Sequence, residues 1–181
     1  MTGIRITTWD GDDAQLACAA SVYARTFADP PYNEDAEVGR ASFTERVRRY
    51  AVSKPHLRLL LAWDGADAVG LALGAGIAAG DWWRDQVFPL LDADVRDRWL
   101  GDDCFSVMEL AVAPTHRRSG IASALMDALL LDLPYATAVL SRYADADAAG
   151  RLYASLGWRE IAAGVRIGAS PELCVLARDV P

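Results

Sequence analysis

The sequence predicts an α/β fold: a mixed central sheet of about seven strands flanked by helices, in one domain spanning 1–181. Three observations lead there. The segments run strand, two helices, hairpin, and then strand, loop, helix, strand, helix and two strands. Within that order, 104–141 reads as strand–helix–strand, and such a crossover joins parallel neighbours, whereas a hairpin joins antiparallel ones. The chain has 181 residues, 52% of them hydrophobic, which suits one substantial core and is short for two.

Each element has its own signal. "GIRITTW" (3–9) alternates and is β-branched, the pattern of a strand. Asp12 or Asp13 caps a helix to about Ala28, with Leu16, Ala19, Ala20, Tyr23 and Phe27 on one face. Pro30 and Pro31 make 28–35 a loop. A second helix, roughly 35–53, carries Phe43, Val47 and Tyr50 at helical spacing. "LRLLLAW" and "AVGLALGAG" flank Asp64-Gly65, a strong hairpin signal. Segment 77–103 mixes Trp82, Trp83, Phe88, Leu91, Trp99 and Leu100 with many aspartates, and predicts a helical insertion of two short helices broken near Pro89. "CFSVMELAV" (104–112) is a strand. A helix follows over about 120–131, with Ile121, Leu125, Ala128 and Leu129 as its buried stripe. "ATAVLS" (136–141) is a strand, 145–157 a helix closed by Gly157, and "WREIAAGVRI" and "ELCVLAR" a final pair of strands.

Composition narrows the function. Net charge is −7 and the pI about 4.8, whereas a general nucleic-acid binder is normally basic. Cys18, Cys104 and Cys174 form no CxxC pair, and His56 and His116 lie far apart, so no metal or redox motif is expected. Reduced thiols point to the cytoplasm. The start "MTGIRITTWDGDD" has neither the basic nor the apolar run of a signal peptide, and no apolar stretch nears the roughly 20 residues of a membrane helix. Gly70, Gly74 and Gly76 lie inside a strand and open no helix, so they are no dinucleotide fingerprint.

The stretch "APTHRRSGIASA" (113–124) is different. It begins a helix with two arginines and no acid before Asp127. A helix start exposes unpaired N–H donors, a glycine lets a ligand approach the backbone, and arginines add fixed charge. Together these make an anion site, and phosphate is the common occupant. Neither GxxxxGK[ST] nor GxGxxG is present; what stands here is Arg117-x-x-Gly120-x-Ala122. The alternative is an exposed loop with two solvated arginines.

The surroundings weigh against that alternative. "MELAVAP" precedes the loop and "RLYASLGW" follows about thirty residues on. With Glu109, Leu110, Val112, Pro114, Arg117, Gly120 and Ala122, then Leu152, Tyr153, Leu156, Gly157 and Trp158, the chain resembles the GNAT superfamily of acyl-CoA-dependent N-acyltransferases. The motifs cover roughly 105–158, and the element order matches along the chain. The resemblance implies transfer of an acetyl (acyl) group from acetyl-CoA to a primary amine, with no metal. It implies that Arg117, Arg118, Ser119, Gly120, Ala122 and Ser123 cradle the coenzyme pyrophosphate. Leu110 and Val112 would bond the pantetheine arm through their main chain, between splayed parallel strands.

Tyr153 matches the family's common general acid, which protonates the departing thiolate; the alternative is a ring packed with Leu152 and Trp158. Glu109 is the candidate base, since an amine must lose a proton before attack; the alternative is a salt bridge to an arginine. One departure is that Ala146 stands where the family often has asparagine. The acceptor has two candidate walls, the loop with Tyr32, Asn33, Glu34 and Asp35, and segment 77–103. No cysteine lies in a motif for carrying the acyl group, which favours direct attack in a ternary complex. The rival readings are a non-catalytic acyl-CoA-binding or regulatory domain on the same fold and a structural or interaction protein. A monomer and a homodimer are both compatible with the sequence.

Overall fold

The computed structural model describes residues 3–181. The first half holds β1 (Arg5–Thr8), α1 (Asp13–Phe27), α2 (Ala36–Ser53), β2 (Arg58–Asp64) and β3 (Asp67–Ile77). Then come α3 (Trp82–Val87), a tight turn at Phe88–Leu90 and α4 (Ala93–Trp99). The second half holds β4 (Cys104–Val112), a tight turn at Pro114–His116, α5 (Ile121–Leu130), β5 (Thr137–Tyr143), α6 (Asp147–Ser155), β6 (Arg159–Val165) and β7 (Leu173–Asp179). The strands make one mixed sheet in the order β1-β2-β3-β4-β5-β7-β6. β4 and β5 run parallel, as the crossover predicts, through Cys104↔Thr137, Phe105↔Ala138 and Ser106↔Val139. Backbone packing divides the chain into two compact units, one comprising residues up to Gly74 with Glu109–Leu130, the other Ala75–Met108 with Leu131–Pro181.

In the first unit, local chemistry starts both helices. The Asp12 carboxylate accepts from the Gln15 N–H at 2.7 Å, and Asp35 accepts from Glu37 and Val38 at 3.0 and 2.9 Å. Such caps are worth about 1 kcal/mol each. α1 buries Leu16, Ala19, Ala20, Tyr23 and Phe27 as its spacing predicts, and Tyr23 stacks on Phe43 of α2 at 4.9 Å. Leu59, Leu61, Leu71 and Leu73 on β2 and β3 are fully buried. Each contributes roughly 1.5–3 kcal/mol of apolar burial. α5 buries Ile121, Leu125 and Leu129 as expected, and Met126 and Leu130 as well, whereas Ala128 is only half-buried.

Gly70 has a packing cause. A Cβ there would lie 3.0 Å from Leu125, 3.1 Å from Ile121 and 3.3 Å from the Ala111 carbonyl. The strand is glycine because α5 sits directly on it.

The second unit has its own core, in which Ile77, Val87, Leu91, Trp99, Leu100, Cys104, Val139 and Val175 are buried. Segment 77–103 holds two short helices joined through Pro89; Trp82 is 67% exposed and contributes little to the core. Arg84 holds the segment together: it is buried, donates to the Leu100 carbonyl at 3.2 Å and lies 4.5 Å over the Phe88 ring. α6 begins at Asp147 rather than 145, because the chain first turns, with the Ala146 N–H donating to the Tyr143 carbonyl.

Gly70→Ala is expected to destabilise the protein by about 1–3 kcal/mol through overpacking against backbone and a buried helix. Gly101→Ala, where the nearest atom to a new Cβ is 3.7 Å away, is expected to stay within about 0.5 kcal/mol of wild type. Urea unfolding of the two variants checks the contrast.

Candidate active site

The loop before α5 has an unusual backbone. Arg118 has φ 61° and Gly120 φ 83°, both left-handed. Glycine adopts that region freely; arginine does so at a cost. Ser119 Oγ donates to the His116 carbonyl and ties the loop across its base. The Ala124 N–H returns to the Gly120 carbonyl at 3.0 Å, but the N–H groups of Ile121, Ala122 and Ser123 have no acceptor among the described residues. A Cβ at Gly120 would meet nothing within 4 Å, so the space beside this glycine is open. Two of the polar side chains are already engaged: Arg117 lies 3.4 Å from Asp29, and the His116 ring lies 3.4 Å from Asp64. Ser119, Arg118 and Arg117 are exposed, while Ala122 and Ser123 are half-buried.

Glu109 sits on β4 beside Leu110, which is half-buried, and two residues before the buried Val112. Its side chain is 14% exposed, and Oε1 accepts from Arg46 Nη2 at 2.6 Å. The salt bridge considered from sequence therefore exists, and its partner is on α2. Burial pushes the Glu109 carboxyl up, the Arg46 guanidinium pulls it down and Glu34 pushes it up again, which leaves it at about 7. Burial outweighs the ion pair because removing a charge from water costs more than one partner returns. The Tyr23 hydroxyl donates to Glu34 at 3.0 and 3.2 Å. Its phenol is held far above the usual range, first by burial and then by Glu109. Tyr23, Glu34, Arg46 and Glu109 thus form one cluster within the first unit.

Tyr153 belongs to the second unit, on α6. It is 8% exposed, and its ring meets Trp158 edge-on at 6.0 Å, so the packing considered from sequence is real. The Tyr153 carbonyl accepts from the Trp158 N–H at 3.0 Å, closing the helix at Gly157, which has φ 78°. Ala146 is the residue before α6 and makes no side-chain cap. Arg142, at the end of β5, donates to the Tyr143 and Ala144 carbonyls at 2.9 and 3.0 Å. A Cβ at position 150 would lie 3.1 Å from that guanidinium, which accounts for a glycine inside α6.

Among the predicted residues, Arg117 to Gly120, Ala122 and Ser123 lie together at the opening of α5, and Glu109, Leu110 and Val112 share β4. Sequence reasoning missed Arg46 and placed Tyr23 only in the core. A signal was available: Arg46 lies three residues after Phe43 and four before Tyr50, on the flank of the predicted buried stripe, where an arginine needs a partner. Among the described residues no group of His, Cys, Asp and Glu is arranged to hold a metal.

A family model of the acetyltransferase (GNAT) domain matches residues 55–160. Three solved structures have the same fold at low identity. One, from Desulfovibrio desulfuricans and described as GNAT-family, is 15% identical with a TM-score of 0.71, covering 99% of this chain and 100% of its own. The ribosomal-protein-S18-alanine N-acetyltransferase from Escherichia coli is 17% identical with a TM-score of 0.62, covering 98% and 94%. The yncA protein of Salmonella typhimurium, solved with its cofactor acetyl-CoA, is 16% identical with a TM-score of 0.62, covering 99% and 95%. No curated protein matches the sequence. With the family model spanning 106 of 181 residues (55 to 160), from β2 to the start of β6, the chain belongs to the GNAT acetyltransferase family.

Proposed function

We propose that the chain is a cytoplasmic N-acetyltransferase that moves an acetyl group from acetyl-CoA to a primary amine by direct attack in a ternary complex. The observation that carries this reading is the opening of α5: unpaired N–H donors, left-handed Arg118 and Gly120, open space and no acid before Asp127. Those features fit a pyrophosphate. Arg117, Arg118, Ser119, Gly120, Ala122 and Ser123 would hold it, with donors and the helix dipole supplying the attraction. The short β4–β5 ladder also supports the reading. It takes in Cys104–Ser106 and Thr137–Val139, and the rest of each strand lies outside it. Leu110 and Val112 would pair there with an extended arm through their main chain.

Acetyl-CoA supplies a thioester with an electrophilic acyl carbon and a thiolate leaving group. Glu109 takes a proton from the acceptor ammonium, a role suited to a group poised near neutral pH. Main-chain N–H groups near Leu110 would stabilise the oxyanion. Tyr153 gives its hydroxyl proton to the leaving sulfur and is reprotonated, through water, by the second proton that the nitrogen loses as the amide forms. Direct attack is favoured because Cys104 and Cys174 are buried, and burial pushes the Cys104 thiol up to about 12. Cys18, the half-buried third thiol, lies in no motif.

Binding, turnover and pH dependence test this. Calorimetry is expected to show acetyl-CoA binding, with at least a tenfold loss in Gly120→Val, where a β-branched residue must adopt φ 83°; equal affinity removes the loop from the site. Thiol release over a panel of a polyamine, an aminoglycoside and peptides with free N-termini is expected to find an acceptor. Tyr153→Phe should then lower kcat about 10²-fold with acetyl-CoA affinity nearly unchanged. Glu109→Gln is expected to remove an inflection near pH 7 from the rate profile. It also changes stability in a defined direction. The Glu109 carboxyl is raised from 4.5 to about 7 in the folded protein, so it favours folding below pH 4.5 and loses that contribution as pH rises through 7. Wild-type Tm should therefore fall between pH 5 and 8 more steeply than that of Glu109→Gln.

A further inference from the structure

Arg46 is an arginine on the apolar side of a helix. Its α2 neighbours Phe43 and Val47 are fully buried, and its guanidinium lies 5.5 Å from the Tyr23 ring and 5.9 Å from the Phe43 ring. Nε is buried and has no acceptor. Tyr23 is itself anchored, since its hydroxyl proton points to Glu34. Position 39 leaves room for that pair: a Cβ there would lie 3.3 Å from Glu34 Oε2 and 3.4 Å from Tyr23 Cε1. The row Glu34–Tyr23–Arg46–Glu109 draws on a loop, α1, α2 and β4, and it opposes two carboxylates with one guanidinium.

Such a row is a poor way to gain stability, because apolar residues of similar volume usually do as well. Its geometry suits a different purpose. Arg46 engages Glu109 through Oε1 alone at 2.6 Å, and Oε2 accepts no hydrogen bond among the described residues. One oxygen is held and the other is left for an incoming proton. A guanidinium does this well, because its planar fork fixes direction as well as charge.

We propose that Arg46 is a positioning residue for proton abstraction: it clamps Glu109 through Oε1, presents Oε2 to the acceptor ammonium, and is seated by Tyr23 and Glu34. The proposal rests on the reading of Glu109 as base. In the step, an ammonium N–H bond breaks, its proton moves to Oε2, and the electron pair stays on nitrogen for attack. The charged and titratable groups facing Glu109 and Arg46 are Tyr23 on α1, Glu34 in the loop and Tyr50 on α2. Their effects have opposite signs. Arg46 favours the ionised Glu109 carboxylate, and Glu34 opposes it.

The test titrates Glu109 directly, in full-length protein carrying [5-13C]glutamate, with its signal assigned by its loss in Glu109→Gln. Arg46→Gln is expected to move the titration up by about one pH unit, Arg46→Lys to restore most of it, and Glu34→Gln to move it down. The rate with an acceptor from the panel should follow. In Arg46→Gln it is expected to fall by about fivefold or more at pH 7 and to recover only in part by pH 9, where Glu109 is ionised but no longer held in direction. A titration unmoved by either Arg46→Gln or Glu34→Gln overturns the proposal, as does an Arg46→Gln rate that equals wild type at pH 9. If Arg46→Gln does not fold, Glu34→Gln and Arg46→Lys decide, because a static Glu109 in Glu34→Gln has the same force. If the titrations move as expected while Glu109→Gln keeps the wild-type rate, the coupling stands and the base assignment fails.

Discussion

A carboxylate on an inner strand must be neutralised or paired, and the Arg46–Glu109 contact meets that constraint in the first unit. Taking each ion out of water costs several kcal/mol, and stranding one by removing the other costs about 3–5 kcal/mol. The surrounding structure follows from that cost. α2 has to carry an arginine on its buried flank, beside Phe43 and Val47. Tyr23 has to offer that arginine a ring face, which commits its hydroxyl to Glu34 and draws in the loop after α1. Gly39 has to be small. A helix pair that could have been purely apolar is therefore organised by one charge on β4.

The opening of α5 follows a different logic. Its backbone donors have no acceptor among the described residues, and the space beside Gly120 is open. What the fold provides is rigidity. Ser119 closes the loop on His116, Arg117 is held by Asp29, and the helix behind packs on β3 through Ile121 and Leu125. Donors fixed before a ligand arrives lose little freedom on binding it, which is how a few backbone groups hold an anion well. The two clusters thus rest on opposite arrangements, one buried and paired, the other exposed and unpaired.

Much of this was legible in the sequence, and the legible part is what local physics encodes. Alternation, helical spacing, Asp-Gly and paired prolines place every element, because each depends on near neighbours in the chain. The loop at 113–124 was legible because a helix start without an acid is a local anomaly. The Arg46–Glu109 pair was not, since the two residues are 63 positions apart and many arginines compete for one carboxylate. The exposure of Trp82 was equally out of reach: its segment mixes aromatics with aspartates, and a six-residue helix turns this ring outward. The start of α6 was misplaced by two residues because the turn through Ala146, which no side chain caps, precedes it.

Gly70 has a consequence beyond packing. It lies on β3, far in sequence from the loop whose helix it supports, and it touches no reacting group. Its missing side chain nevertheless lets Ile121 and Leu125 seat α5 at a fixed height above the sheet. Positions 70, 121 and 125 are therefore expected to drift together among relatives: a bulkier strand residue is tolerable only with a slimmer helix stripe, and a change in either alone tilts the donors at the helix start. The aim of the donors at the helix start is in this way set by a strand position that lies far from them in sequence.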